Sequence, residues 1–228
     1  MRRQAGDGDP LLNLPTQDEV LDQGVRFKST WWTKYIDDRW WPPSLDELAI
    51  DASHPGYQSI TRRNVFGLAG DSTPQGRVRL LLAAYVWGTG SSAFLVGRRV
   101  RTFTRTPVSE LEERLTRVDC VLRAQGPIAA YGSLLSGGEN YIPYLGPSFF
   151  TKYLYFAAGH PPEIDPQPLI LDRRVAQSIN AAFAGWNLAQ SGWPSTTYGK
   201  YLDLAAMHCD GAGTDRFEYS MFSRETQG

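Results

Sequence analysis

The sequence predicts an all-α fold of about eight to ten short helices. Two observations carry this. From residue 77 onward, apolar stretches of helical length alternate with Gly, Pro and cap-forming Ser or Asp, whereas strand-like alternation is scarce throughout. No internal repeat breaks the pattern, and 228 residues suffice for one sizeable core or two small lobes. The expected division is an aromatic-rich N-terminal segment, 1–75, packing on a helical core, 76–228.

The N-terminal segment is irregular at first and then aromatic, reading "FKSTWWTKYIDDRWWPPSLDELAID", with Trp31-Trp32 and Trp40-Trp41 as adjacent pairs. Such rings can stack on a base or a sugar, but more commonly they close a small core. Pro42 and Pro43 stop what precedes them, and Ser44 followed by Glu47 reads as a capping box opening a short helix. "GDSTPQG" (70–76) has loop composition. "RVRLLLAAYVW" is a strongly apolar helix ended by Gly88 and Gly90. Ser91 or Ser92 then caps a helix carrying Arg98, Arg99 and Arg101. "PVSELEERLTRVDCVLRAQG" is amphipathic and ends at Gly126, and Pro127 suits the first position of the next helix. A turn, "ENYIPYLG", leads to the helix in "GPSFFTKYLYFAAG" (146–159). The proline-rich "HPPEIDPQPLILD" connects this to a helix opening at Asp172. "STTYGKYLDLAAMHCDG" and "GTDRFEYSMFSR" read as the last two helices.

Composition narrows the function. The chain is 42% hydrophobic and 21% charged, ordinary for a globular protein. Its net charge of −1 argues against a non-specific nucleic-acid coat, which needs an overall basic excess. One stripe is basic nevertheless: Arg98, Arg99, Arg101 and Arg105 occur with no acid among them, compatible with docking on phosphates or with a solvated helix face. "MRRQAGDGDP" has no apolar stretch behind it, so no signal peptide is expected, and no apolar run approaches a membrane span. Cys120 and Cys209 are isolated, which suits a reducing cytoplasm. His54, His160 and His208 are scattered, so no metal site and no cofactor are expected.

One residue stands apart. Lys152 sits among Phe149, Phe150, Tyr153, Leu154, Tyr155 and Phe156, on a helix apolar on every face. An unpaired ammonium is costly in such a place. Immediately before it, "IPYLG" is a tight apolar turn opening onto Pro147-Ser148, and a turn joined to a helix N-terminus offers amides to an anion such as a backbone phosphate. Twenty residues after Lys152, Asp172 follows "LIL" and caps the next helix.

This order of hairpin, lysine-bearing helix, proline-rich linker and "LILD"-capped helix resembles the helix-hairpin-helix DNA glycosylases, over about residues 80–185. More narrowly, it is similar to the short bacterial 8-oxoguanine glycosylase-like (OGG-fold) proteins. In that superfamily the hairpin reads roughly L-P-G-V-G, which "IPYLG" matches except that Tyr144 replaces the first glycine. The resemblance implies a two-lobed helical fold, a monomer, and double-stranded DNA containing a modified base as partner. It gives Asp172 the catalytic aspartate's role. In bifunctional members a nucleophilic lysine lies two residues beyond the second hairpin glycine. Ser148 holds that position here, as in monofunctional relatives, and Lys152 lies one turn on along the same face. Lys152 is therefore either the attacking amine of a shifted hairpin or a cationic neighbour of the reacting centre. For the amine role, burial among Phe149, Tyr155 and Phe156 would favour the neutral form.

Such an enzyme extrudes its target base from the stack. The resemblance places wedge residues at Trp87 and Thr89. Phosphate contacts are expected from the stripe Arg98, Arg99 and Arg101 with Tyr144, Gly146, Pro147 and Arg173, and Phe149, Tyr198, Tyr201 and Asp203 are expected to supply the aromatic walls and polar readers of a base pocket. Related proteins suggest two substrate classes: oxidised purines in repair, and bulky modified bases of phage DNA, such as glucosylated hydroxymethylcytosine, in defence. The alternative is a helix-hairpin-helix module that docks DNA for a larger assembly and performs no chemistry.

Overall fold

The computed structural model describes residues 14–209 and 213–224. The segment "MRRQAGDGDP" and the stretch 210–212 near the last expected helices lie outside them. The architecture is all-α, as expected, with one small sheet. The first elements are α1 (Gln17–Leu21), β1 (Gly24–Phe27), α2 (Ser29–Thr33), β2 (Gln58–Thr61) and α3 (Arg62–Phe66). Strands β1 and β2 pair antiparallel from Gly24↔Thr61 to Phe27↔Gln58. At four residues each they are too short to show a period in sequence. Their anchors are Phe27 and Ile60, both wholly buried.

One expectation for this segment, the small aromatic core, is met, and one is corrected. Trp32, Trp40 and Trp41 are buried core residues, and the Trp41 indole donates to the Asp46 carboxylate at 2.9 Å. Trp31 is half-buried and meets Tyr57 edge-on at 5.7 Å. The tryptophan pairs close a core and present no open stacking platform. Nor does Ser44 cap a helix with Glu47. A single 3-10 turn spans Pro43–Leu45, because the rigid ring of Pro43 opens it and puts Ser44 inside.

The central element is α4 (Pro74–Thr89), which begins within the expected loop. The Thr73 hydroxyl accepts from the Gly76 amide at 3.0 Å, and Pro74 occupies the first turn. The helix is buried continuously from Leu80 to Trp87. It runs through Gly88 and stops at Gly90, whose φ of 65° no longer fits a helix. The basic stripe is split between α5 (Ala93–Arg99) and α6 (Arg101–Thr104). Next, α7 (Val108–Leu134) bends sharply at Gly126, φ 83°, immediately before Pro127, where the sequence predicts one helix ending and another beginning.

Helix α8 (Pro147–Ala157) packs between α4 and α7. Beyond it, Leu169, Ile170 and Leu171 are buried and lead into α9 (Arg173–Ala182), followed by α10 (Ser195–Met207) and α11 (Asp215–Ser223). The N-terminal elements and α11 are clasped together. Arg62 and Glu218, both wholly buried, form an ion pair at 2.6 Å, and the Gln17 amide donates to Asp215 at 3.1 Å. No helix of the described residues is long and apolar enough to cross a membrane.

Candidate active site

The site begins at the turn joining α7 to α8. Tyr144 has φ 66° and is the one non-glycine among the described residues with positive φ. The hairpin that the sequence resembles has glycine at this place, and Tyr144 adopts a backbone conformation that favours glycine, with an exposed side chain. Gly146 then caps α8, its carbonyl accepting from the Phe149 and Phe150 amides at 2.9 and 3.0 Å.

One turn into α8, Lys152 is buried with 5% of its side chain exposed. Its Nζ donates to Asp172 Oδ2 at 2.8 Å and to the Ser148 carbonyl at 3.0 Å. The apolar helix thus does not leave the ammonium alone. Of the three aromatic residues expected around it, Phe149 lies within reach, its ring centroid 5.5 Å from Nζ. Tyr155 and Phe156 point elsewhere, Tyr155 to Asp215 and Phe156 to Trp87.

Asp172 is the N-cap of α9, as predicted. Oδ1 accepts from the Arg174 and Val175 amides at 3.0 and 3.2 Å, which leaves Oδ2 for Lys152. Burial alone would raise this carboxyl. The charge and hydrogen bond of Lys152, together with the two helix amides, outweigh that and hold it below the ordinary carboxylate value.

Residues that the sequence did not single out fix this geometry. The Thr151 hydroxyl donates to the Pro147 carbonyl at 2.7 Å and accepts from the Leu171 amide at 3.2 Å, tying α8 to the residue before Asp172. Gly88 lets α4 approach α8. A Cβ there would lie 2.8 and 2.9 Å from Lys152 Cδ and Cε and 3.1 Å from Phe149.

The other expected site residues divide sharply. Arg98, Arg99, Arg101, Tyr144, Gly146, Pro147, Ser148 and Phe149 converge on one cavity of about 430 Å³ beside the hairpin. Arg173 is exposed next to Asp172. Trp87, by contrast, is buried, donating from its indole to the Gln23 carbonyl at 3.1 Å, so its ring fills the core and is not free to act as a wedge. Thr89, in the last turn of α4, is half-buried, its hydroxyl shielded and unpartnered among the described residues.

Tyr198 and Tyr201 do not line a pocket either. Their rings are fully buried, and their hydroxyls donate to the carbonyls of Leu169 and Ile170, both at 2.9 Å. They brace the segment leading to Asp172. Asp203 is exposed on α10 between the buried Leu202 and Leu204. Phe149 stacks on Tyr85 at 4.3 Å, while the Arg99 guanidinium covers it at 4.2 Å. Phe149 thus lines the cavity with its ring packed against those two groups.

Compared with known proteins, residues 18–222 match the family described as "Putative 8-oxoguanine DNA glycosylase OGG-like protein". The match extends beyond the hairpin and its two helices to include the aromatic N-terminal segment. No curated protein and no solved structure matches the chain. With an all-α fold, a buried Lys–Asp pair behind the hairpin and a family match over nearly its whole length, the chain belongs to the 8-oxoguanine DNA glycosylase-like (OGG-like) family.

Proposed function

We propose that the protein is a DNA N-glycosylase that extrudes a modified base from double-stranded DNA and breaks its bond to C1′, with Asp172 as the catalytic carboxylate. The observation that carries this is the Lys152–Asp172 pair, 2.8 Å apart at the start of α9 and one turn from the hairpin. As the C1′–N bond breaks, the sugar becomes cationic. A carboxylate held rigidly by two helix amides and kept ionised stabilises that charge without reorganising.

In the hydrolytic route, water adds its oxygen to C1′ and gives a proton to Asp172. The base leaves with the bonding electrons and is protonated by solvent. In the amine route, deprotonated Lys152 attacks C1′ instead and becomes covalently attached to the sugar. Ser148 at the family's lysine position favours the hydrolytic route, with Lys152 as the cation that positions Asp172.

The hairpin residues Tyr144, Gly146 and Pro147, with Arg98, Arg101 and Arg173, would hold the flanking backbone. We expect a monomer to suffice. Two substrate classes fit this reading, an oxidised purine and a bulky modified base of phage DNA. The buried N-terminal tryptophans remove one argument for the second. An assay offering 8-oxoguanine duplex and glucosylated phage DNA side by side, scored by abasic sites, decides between them. Asp172→Asn tests the enzyme reading itself: loss of base release with DNA affinity retained supports it. A docking module would release no base in either form.

A further inference from the structure

Among the described residues, many arginines are paired with acids. Arg62, Arg63, Arg77, Arg117 and Arg123 each face a carboxylate. Arg98, Arg99 and Arg101 face none among the described residues, and these three line the cavity of about 430 Å³, whose wall contains no acid. That volume lies within the range of small-ligand sites, about 300–1,000 Å³. Arg99 forms the inner wall. Tyr85, Phe149 and the Arg99 guanidinium lie in successive layers, and Arg99 Nε is shielded from solvent without a partner among the described residues. The cavity also reaches Ser148, whose carbonyl holds Lys152 Nζ. Neither Lys152 nor Asp172 lines it, but Ser148 and Phe149 in its wall both lie against Lys152.

We propose that this cavity receives the extruded base, stacked on Arg99, and that its charge confines the protein to bases carrying no positive charge. The inference rests on the glycosylase reading. A guanidinium plane stacks on the face of a nucleobase as an aromatic ring does. Arginine keeps its charge at any working pH, so a neutral base rich in acceptors gains hydrogen bonds where a cationic one meets repulsion. Of the rings in the wall, Phe149 already carries Arg99 at 4.2 Å, and Tyr144 has Arg101 6.0 Å from its centre. Ring-methylated purines that carry a formal charge are excluded by this site, whereas neutral oxidised or substituted bases are admitted.

The test uses two duplexes that differ by one charge and hardly in shape. One carries 7-methylguanine on a 2′-fluoro-arabinose, which is cationic. The other carries 7-methyl-7-deazaguanine on the same sugar, which is neutral. The fluorine disfavours the oxocarbenium ion, so binding is read without cleavage and does not depend on whether Asp172 performs chemistry. We expect the wild-type protein to bind the neutral duplex about tenfold more tightly or better. Arg99→Gln, checked for an unchanged melting profile, should bring the ratio below about threefold. Equal affinities in the wild type, a preference for the cationic duplex, or a ratio unmoved by Arg99→Gln would each overturn the proposal. Failure of the glycosylase reading would appear separately, as an absence of base release from every modified duplex.

Discussion

Lys152 is a charge that the sequence places in an apolar helix and the fold answers with one carboxylate. Because Ser148 occupies the register of the family's nucleophile, borohydride is expected to trap no protein–DNA adduct, and the product should be an intact abasic site. Lys152→Gln should nevertheless slow base release by about tenfold to a hundredfold, since Asp172 then loses the cation that holds Oδ2. A trapped adduct absent from Lys152→Gln would make the lysine the nucleophile. Asp172 also carries a pH signature. Its folded-state value lies below the ordinary 3.8, so its contribution to stability is fully present above the ordinary value and is lost as pH falls through the lowered one. Denaturant titrations should show Asp172→Asn less stable by about 2 kcal/mol at neutral pH, with the difference shrinking below about pH 4. Both residues were legible in the sequence, one as a lone charge in an aromatic helix and one as a cap after an apolar run. The places of Tyr198 and Tyr201 were not, because a pocket tyrosine and a core tyrosine look alike until the hydroxyl's partner is known.

At the scale of elements, helix limits and turns were mostly legible because caps and breakers act locally. Pro127, Gly126 and Asp172 each mark a boundary or bend that the structure keeps. Gly88 shows where local reasoning stops. Its type suggests a terminator, yet it lies inside α4, at the place where that helix comes close to Lys152. Its role is set by a helix on the other side of the contact, which no window of sequence around it reveals. The same holds for β1 and β2, whose ladder joins Gly24 to Thr61 and Phe27 to Gln58 across the whole tryptophan-rich stretch between them. Gly88→Ala tests the close approach. The new methyl group displaces the flexible end of Lys152, so base release should fall by about tenfold or more. Stability should change little, because alanine's better helix propensity, about 1 kcal/mol, offsets the local crowding. Activity at the wild-type level in Gly88→Ala would show that the position of Lys152 is not critical.

Over the whole molecule, a nearly neutral protein gathers an arginine cluster on one side of the hairpin, while the buried Arg62–Glu218 pair ties the N-terminal segment to α11. The arginine cluster was legible as a stripe without acids. The clasp was not, since its partners are separated by most of the chain. Replacing Arg98, Arg99 and Arg101 together by glutamine should weaken binding to unmodified duplexes of any sequence. The slope of log affinity against log salt should flatten by about one unit for each phosphate that the variant no longer neutralises. An unchanged slope would remove the phosphate role of Arg98 and Arg101. The central claim is that this fold carries out base excision through Asp172. Its most direct measurement is single-turnover release of the base from a modified duplex by the wild-type protein and by Asp172→Asn, with DNA affinity measured alongside. The account predicts that release falls by at least about a hundredfold in the variant while affinity stays within about threefold. Release by Asp172→Asn at the wild-type rate would contradict it.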